Sequence, residues 1–335
     1  MDHTYARYLR ALASADAGAA AAALDEALTA GESQRRLITE VIAQGQRHVG
    51  QLWMDGVWSV ADEHAATAVA EQSLTVIAPP RGVPAHARRV VLACAEGEWH
   101  TLPARLASEL ARTSGLELVL LGGSIPATDL QRYLRASKPA ALALSVTMAA
   151  NLIAASRSIQ VAREEKVPVI VGGAAWGAGQ HRARRLGADV HVEDPADLAG
   201  IIDTLDTRPA TSTLADIPIE ALILDSAPRE LLLAAMASLS VHSAWAQSLT
   251  AYQREQGLQD LGWLARHAAA AVACDDDTVL TDLTAWRLSR LTRQGVPADV
   301  VVSSCVHLAD AVEQQAPRAA ALLRSHADSA HPSGS

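Results

Sequence analysis

The feature that most restricts the fold of this 335-residue chain is a regular alternation between about residues 90 and 205. Short apolar runs alternate there with longer segments whose apolar residues recur every three or four positions. Two parallel strands must be joined by a long crossover, usually a helix, so the alternation predicts a parallel, doubly wound, Rossmann-like sheet. The five predicted strands are Val90–Ala93, Leu116–Leu121, Ala140–Ser145, Val167–Val171 and Asp189–Val192.

The segments on either side of this sheet have helical spacing only. Four helical stretches with short connections predict a four-helix-bundle cap over residues 1–79, followed by the sheet domain over 86–206. Helical spacing returns afterwards and predicts an all-helical domain over 218–327. Linkers are expected at 78–87 and 207–217, and a disordered tail from residue 326. The expected fold class is multidomain, α and α/β.

Composition and charge argue against several classes of function. A net charge of −9 and a pI near 5.7 speak against a nucleic-acid surface. We find no signal peptide and no apolar stretch of membrane-spanning length, so we expect a soluble cytoplasmic protein with no membrane partner. The cysteines Cys94, Cys274 and Cys305 are too far apart in sequence for a CxxC pair or a disulfide framework.

Polar and glycine residues follow three of the predicted strands where each strand ends. Glu98 and His100 follow the first strand, Ser145-Val146-Thr147 closes the third, and Gly172-Gly173 follows the fourth. In doubly wound sheets the carboxyl ends of the strands form the ligand-binding edge. Each feature alone could be an ordinary turn, and a loop histidine is often only solvated. Their joint order predicts a ligand site at this edge.

The joint pattern resembles the cobalamin-binding domain in which the vitamin loses its own lower base and a protein histidine replaces it. The family motif is acidic-x-His-x-x-Gly, then Ser-x-Leu/Thr, then Gly-Gly, and this chain departs from it with Pro103 in place of the first glycine. The resemblance implies that His100 is the lower cobalt ligand and that Glu98 holds its other nitrogen. It also implies that the cofactor is contacted by Trp99, Gly122, Pro126, Ser145, Thr147, Gly172 and Gly173.

The predicted bundle adds a second resemblance, because Trp53 is followed after nine residues by Glu63-His64. A tryptophan in a bundle is most simply a core residue. However, this spacing directly before a cobalamin domain resembles the cap of CarH-type light sensors. The resemblance implies that Trp53 packs over the adenosyl group of adenosylcobalamin, while Glu63 and His64 contact it or the cobalt face.

Two departures from CarH-type sensors affect what is expected. Met54 stands where those proteins have the histidine that captures cobalt after photolysis. A bis-histidine photoproduct through that position is therefore not expected, and His64 or water is the alternative upper ligand. A DNA-binding helix-turn-helix before the bundle is not expected, because the chain begins almost at its first predicted helix.

The helical C-terminal region has two interpretations. One is a small dimerisation or docking domain. The other is a globin-like, biliverdin-binding domain, because the order of bundle, cobalamin domain and helical tail resembles the photocobilins. Candidate bilin contacts are His242, His267, Arg254, Arg266 and Arg287, and Cys274 or Cys305 are candidates for a thioether.

The leading functional hypothesis is a non-enzymatic light sensor that uses adenosylcobalamin, with biliverdin as a second chromophore. Photolysis would change its conformation or its homo-oligomeric state. The alternative is a corrinoid carrier for methyl transfer, which has the same layout of bundle and sheet. A mutase domain is a third reading, disfavoured because the chain contains no substrate barrel.

Overall fold

The computed structural model describes residues 2–77, 87–112, 115–205 and 216–330. Most of both predicted linkers lies outside these residues. The chain forms two compact units, the first made of residues 1–146, 161–173 and 189–210, and the second of residues 147–160, 174–188 and 211–335. The predicted domain boundaries at 79, 86, 206, 218 and 327 stay a prediction. None of the described helices is both long and apolar enough to cross a membrane.

The first unit begins with four helices, as the helical spacing predicts. They are α1 (Asp2–Ala13), α2 (Ala17–Thr29), α3 (residues 34–54) and α4 (Val60–Ile77). Polar caps set their starts: Asp16 accepts from the Ala19 amide, and Ser59 and Asp62 form a reciprocal capping pair. Helix α3 contains a π-helical segment, Leu37–Ile42, where its hydrogen-bond pattern shifts by one residue.

The bundle packs on the helix that follows the predicted cobalt-binding loop. This helix, α5 (Leu102–Arg112), contributes Leu102, Leu106 and Leu110 to the same hydrophobic core as the bundle helices. Polar contacts add to this packing, since Thr101 Oγ1 donates to Glu71 Oε1 at 3.0 Å. The first unit therefore fixes helix α4 beside the loop that carries His100.

The rest of the first unit is the predicted parallel sheet. Its strands are β1 (Arg89–Cys94), β2 (Glu117–Gly122), β3 (Ala141–Ser145), β4 (Val169–Gly172) and β5 (Val190–Val192), in the order β2-β1-β3-β4-β5. All four pairings are parallel. This order reverses between β1 and β3, which creates a crevice at their carboxyl ends where ligands bind in such folds.

The helices that follow these strands complete the predicted alternation. After α5 come α6 (Ala127–Ser137), α7 (Leu152–Glu164), α8 (His181–Arg185) and α9 (Leu198–Thr204). The strand prediction and the parallel-sheet prediction are both confirmed, with ends that differ by one or two residues. Strand β1 is buried from Val90 to Cys94, as expected for a strand covered on both faces.

The second unit is helical in its described residues. It combines residues 147–160 and 174–188 with α10 (Ile219–Asp225), α11 (Arg229–His242), α12 (Ala244–Gln247), α13 (Ala251–Cys274), α14 (Thr278–Arg293), α15 (Ala298–Val312) and α16 (Pro317–Ala330). Helix α16 continues to Ala330, so the predicted disorder from residue 326 is wrong up to that point. Residues 331–335 lie outside the described part of the chain.

Candidate functional site

His100 lies on the loop after β1 and is held by a buried carboxylate. Glu98 is fully buried, and its Oε1 contacts the His100 ring at Nδ1 (2.5 Å) and accepts from the His100 amide (3.0 Å). The loop therefore fixes both the backbone and the ring through one oxygen. Because Nδ1 is engaged, Nε2 is the nitrogen that faces away from Glu98, and it has no hydrogen-bond partner within the described ranges. An imidazole oriented in this way by a carboxylate is a common metal-ligand arrangement.

The charges around His100 make its ring more basic. The hydrogen bond to Glu98 raises the pKa of His100, burial opposes this, and the negative charges of Glu98 and Glu63 add to the rise. Glu63 belongs to α4 in the bundle, so the bundle places a carboxylate close enough to act on the imidazole. Two predicted site residues from different parts of the sequence, Glu63 and His100, therefore lie near each other.

This ion pair predicts how the apoprotein's stability depends on pH. Since the pKa of folded His100 is raised, the pair stabilises the fold below the pKa of an unfolded histidine. That contribution is lost as pH rises through the raised pKa. We expect Glu98→Gln to lower the free energy of unfolding more at about pH 5.5 than at about pH 8.5, on either side of an ordinary histidine pKa. Chemical denaturation at both pH values measures this, and an equal loss at both would contradict the assignment.

The loop after β2 is hydrogen-bonded to the His100 loop. The Ser124 amide donates to the Glu98 carbonyl (2.9 Å), and Ser124 Oγ accepts from the Gly97 amide (3.0 Å). Gly122 has a positive φ of 93°, and a Cβ on Gly123 would lie 3.3 Å from the Glu98 carbonyl oxygen. Pro126 is the residue that precedes α6. Gly122 and Pro126 thus bound the loop that supports Glu98.

Trp99 is the exposed member of the His100 loop. Its side chain is 74% exposed although it is large and aromatic. A Cβ on Gly123 would lie 3.5 Å from the Trp99 ring, so the ring borders the supporting loop. An exposed aromatic ring beside a candidate metal ligand is available to cover a flat ligand.

The predicted hydroxyl residues lie at the end of β3. Ser145 is buried and is in register with Cys94 on one side and with Gly172 on the other. The ends of β1, β3 and β4 are therefore level, which brings Ser145, Gly172 and the start of the His100 loop to one edge of the sheet. Thr147 is half-buried and belongs to the second compact unit.

Gly173 is in a conformation that other residues adopt with strain. Its φ is +107°, and a Cβ at this position would lie 2.3 Å from the Val146 carbonyl oxygen. Gly172 is different, since a Cβ there would meet the Val192 oxygen only at 3.4 Å. The backbone after β4 therefore passes close to the backbone after β3, and Gly173 is the residue that permits this approach.

The cap residues occupy the junction between α3 and α4. Trp53 is half-buried in the last turn of α3, while Glu63 and His64 lie in the first turns of α4. His64 is 73% exposed, and its Nε2 lies 3.5 Å from Glu63 Oε2. Of these three residues, Glu63 is the one whose charge acts on His100.

Two further residues, which the sequence analysis missed, hold Glu63. Thr67 Oγ1 donates to Glu63 Oε1 at 2.8 Å, and the Gln46 side-chain amide donates to Thr67 Oγ1 at 2.5 Å. The Gln46 Oε1 atom is buried and has no hydrogen-bond partner among the described residues. Thr67 was detectable in principle, because it lies four residues after Glu63 on the same helix face. Gln46 lies on α3, and no local pattern points to it.

In the second unit, several candidate bilin contacts have internal roles. Arg287 is buried, forms an ion pair with Asp260 and donates to Ser304 Oγ. His267 is buried with Nδ1 against the Trp263 carbonyl at 2.7 Å, and burial lowers its pKa to about 4. These side chains hold helices together.

The cysteines of the second unit are also internal. Cys274 and Cys305 are buried, and burial raises the pKa of the Cys274 thiol to about 12 and raises that of Cys305. A buried thiol with a raised pKa is a poor nucleophile, which disfavours a thioether to a bilin.

Comparisons with known families assign the two parts of the first half of the chain. Two family models match, both described as a B12 binding domain, over residues 4–78 and residues 88–200. The first covers the helix bundle, and the second covers the sheet with the His100 loop.

Individual relatives match the same half. The HTH-type transcriptional repressor CarH of Myxococcus xanthus is 33% identical over 191 residues, which cover 53% of this chain and 60% of the repressor. The trimethylamine corrinoid protein 1 of Methanosarcina acetivorans is 25% identical over 190 residues, which cover 53% of this chain and 86% of that protein. This chain thus spans about 60% of the length of the CarH relative.

A solved structure agrees with the architecture. The monomethylamine corrinoid protein of Methanosarcina barkeri superposes with a TM-score of 0.54, at 19% identity, over 61% of this chain and 99% of that one. At this identity the likeness shows the fold alone, a helical N-terminal domain followed by a Rossmann-like sheet. The two family matches and the CarH relative support a cobalamin-binding module in this chain.

Proposed function

We propose that this protein is a light-responsive regulator that binds adenosylcobalamin, with His100 as the lower cobalt ligand and the Trp53, Glu63 and His64 junction over the upper face. The observation that carries the proposal is the position of Glu63. A carboxylate held by the Thr67 hydroxyl and close enough to act on His100 suits a polar upper ligand. A small apolar upper ligand gives no reason for it. The 33% identity to a CarH repressor supports a regulatory role.

The residues present fit cobalamin in its base-off, histidine-ligated form. His100 Nε2 is free of hydrogen bonds within the described residues, and Nδ1 is held by Glu98. Gly173 has no side chain at the point where the backbones after β3 and β4 approach each other. A Cβ there would lie 2.3 Å from the Val146 carbonyl oxygen. Ser145 is buried at the same edge, where its hydroxyl can bond the displaced nucleotide tail.

When bound, adenosylcobalamin supplies a cobalt–carbon bond that visible light breaks. The protein's part is to hold and enclose the group. Trp53 supplies an aromatic surface for it, and Glu63, an acceptor when ionised, bonds hydroxyl or amine donors. Glu98 holds the His100 ring in place, and Thr67 with Gln46 holds Glu63.

Losing such a large buried group can supply enough free energy to drive a conformational switch. Moving a two-state equilibrium from 1:99 to 99:1 requires a difference of about 5.5 kcal/mol between ligand states. Burial of apolar surface contributes roughly 25 cal/mol per Å². Release of the group under Trp53 would then change the conformation or the homo-oligomeric state. In this proposal the protein is a cytoplasmic sensor and not an enzyme.

A second chromophore in the helical C-terminal region is also part of the proposal, with biliverdin in a globin-like arrangement. Two tryptophans of this region, Trp263 on α13 and Trp286 on α14, have arginine guanidinium groups stacked over them. Arg266 lies 5.4 Å from the Trp263 ring and Arg290 lies 5.0 Å from the Trp286 ring. Trp263 is 40% exposed. An aromatic wall with an adjacent cation suits a conjugated ligand that carries carboxylates.

Illumination of the purified holoprotein tests the proposal. Protein from cells given both cobalamin and biliverdin should have a base-off adenosylcobalamin spectrum that bleaches irreversibly in green light. A far-red band should be present in addition. No spectral change under green light would overturn the light-sensing role, and the absence of the far-red band would remove the bilin alone.

A corrinoid carrier for methyl transfer is the second candidate. It is favoured by the match to trimethylamine corrinoid protein 1, which covers 86% of that protein at 25% identity. The two candidates differ in the upper ligand that the cap prefers. Tighter binding of methylcobalamin than of adenosylcobalamin, with methyl transfer to an added acceptor, would decide for the carrier.

Thr67→Val tests the role of the Glu63 support. Valine removes the hydroxyl that donates to the Glu63 carboxylate, and a hydrogen bond to a charged group contributes about 1.5–3 kcal/mol. We expect adenosylcobalamin affinity to fall by roughly tenfold or more, while the affinity for hydroxocobalamin changes little. Spectroscopic titration measures both.

The matched control is Thr39→Val, since Thr39 is a half-buried threonine of α3 that bonds only backbone carbonyls. It should leave both affinities unchanged. Equal weakening toward both cobalamins by Thr67→Val would mean that the hydroxyl serves the fold and not the upper ligand.

A further inference from the structure

Two histidines of the second unit, outside the cobalamin module, lie ring against ring. His242 is in the last turn of α11 and His307 is on α15. Their ring centroids are 5.2 Å apart, and the ring planes differ by 27°. His242 is exposed and His307 is half-buried, so the pair is accessible from solvent.

One residue orients both rings. His242 Nδ1 lies 2.9 Å from the Ser238 carbonyl oxygen, and His307 Nδ1 lies 2.9 Å from the Ser238 hydroxyl oxygen. A carbonyl only accepts, so His242 carries its proton on Nδ1 and has a lone pair on Nε2. Within the described part of the chain, neither Nε2 atom has a hydrogen-bond partner.

The surroundings of His307 favour its neutral form. Burial lowers the pKa of His307, and the neighbouring His242 lowers it further, while Asp310 opposes them. Asp310 is itself engaged by Arg324 at 2.9 Å. Neutral imidazoles whose other ring nitrogen bonds a backbone or side-chain oxygen are the usual form of histidine metal ligands.

We propose that His242 and His307 form a binding site for a divalent transition-metal ion of the Zn²⁺, Ni²⁺ or Cu²⁺ class, coordinated through both Nε2 atoms. Two imidazoles on one tetrahedral ion at about 2.0–2.1 Å have centroids roughly 5 Å apart, which matches the observed pair. The remaining positions take water or an outside ligand, because the described residues contain no group of three or more candidate ligands.

The choice of ion class follows from the donors. Imidazole nitrogen suits zinc, copper and nickel, whereas magnesium and calcium prefer oxygen ligands. With two protein ligands the site is open, and it links the end of α11 to the middle of α15. A bound ion would therefore hold these two helices together.

Zinc titration of the tag-free, full-length protein tests the site. The titration is done with the wild type and with His100→Ala, so that the outcome does not depend on cobalamin or on zinc captured by His100. We expect one Zn²⁺ per chain with micromolar affinity, measured by competition with a chromophoric chelator. His242→Asn and His307→Asn should each weaken it by at least about 100-fold, and Ser238→Ala by about 10-fold through loss of ring orientation.

Copper provides a readout that a purely structural role would not affect. The Cu²⁺-loaded protein should have an electron paramagnetic resonance spectrum with coupling to two nitrogens, reduced to one or none in either histidine variant. His48→Asn, a change at an exposed histidine of α3, should alter neither measurement. Zinc binding that survives both histidine substitutions, or no zinc binding by the wild type at micromolar concentration, would overturn the proposal.

Discussion

Replacing His100 with alanine is expected to abolish axial histidine ligation and to weaken cobalamin binding by at least about 100-fold. Loss of an outer partner of a metal ligand typically costs 10–100-fold in affinity, so loss of the ligand itself should cost at least the upper end of that range. The His100 side chain is 56% exposed, so its removal opens no buried cavity, although it leaves the buried Glu98 without its imidazole partner. Titration with hydroxocobalamin, followed by absorption, measures both affinity and ligation.

The control for this substitution is His48→Ala, at an exposed histidine remote in sequence from the His100 loop. It should bind cobalamin as the wild type does. Circular dichroism of His100→Ala should match the wild type, which separates loss of ligation from loss of fold. An unchanged spectrum and affinity in folded His100→Ala would remove the proposed ligand.

Gly173→Ala is expected to have the second large effect, on both stability and binding. An alanine at a φ of +107° is strained by about 1–3 kcal/mol, and its Cβ would lie 2.3 Å from the Val146 carbonyl oxygen. The backbones after β3 and β4 would have to separate at the edge where cobalamin is proposed to insert. The free energy of unfolding of the apoprotein, measured with denaturant, should fall by at least this strain energy. Cobalamin affinity should fall as well.

The neighbouring glycine provides a matched control. Gly172 has no positive φ, and a Cβ there would lie 3.4 Å from the Val192 oxygen, an ordinary contact. Gly172→Ala should therefore change the free energy of unfolding by less than about 1 kcal/mol. Equal destabilisation by the two substitutions would contradict the assignment of the close approach to Gly173.

Much of the cobalamin module could be predicted because its signals are local. The β1 strand is a short apolar run buried on both faces, and the His100 loop follows it directly, so strand ends and site coincide in the sequence. Because the strands are parallel, their carboxyl ends share one edge of the sheet, and Ser145 and Gly172 are expected there without any measured distance. The register of Cys94, Ser145 and Gly172 agrees with that inference.

The parts that could not be predicted depend on contacts between helices. Gln46 and Glu63 meet through Thr67, but they lie on different helices whose relative rotation the sequence does not give. The same limit applies to Arg287, which is as suitable for a ligand carboxylate as for Asp260 until the helices are assembled. The last helix also ends later than expected, at Ala330 and not near residue 327, because the polar residues there interrupt the apolar spacing on which the prediction depends.

Electron paramagnetic resonance of the protein loaded with cob(II)alamin tests most directly whether His100 is the cobalt ligand. A single axial nitrogen splits the cobalt lines into triplets, and labelling the protein's histidines with ¹⁵N should turn these triplets into doublets. We expect this change in the wild type, whereas in His100→Ala any remaining nitrogen splitting should come from the vitamin's own base and stay as triplets after labelling. Triplets that persist in the labelled wild type, or doublets in labelled His100→Ala, would mean that His100 is not the cobalt ligand.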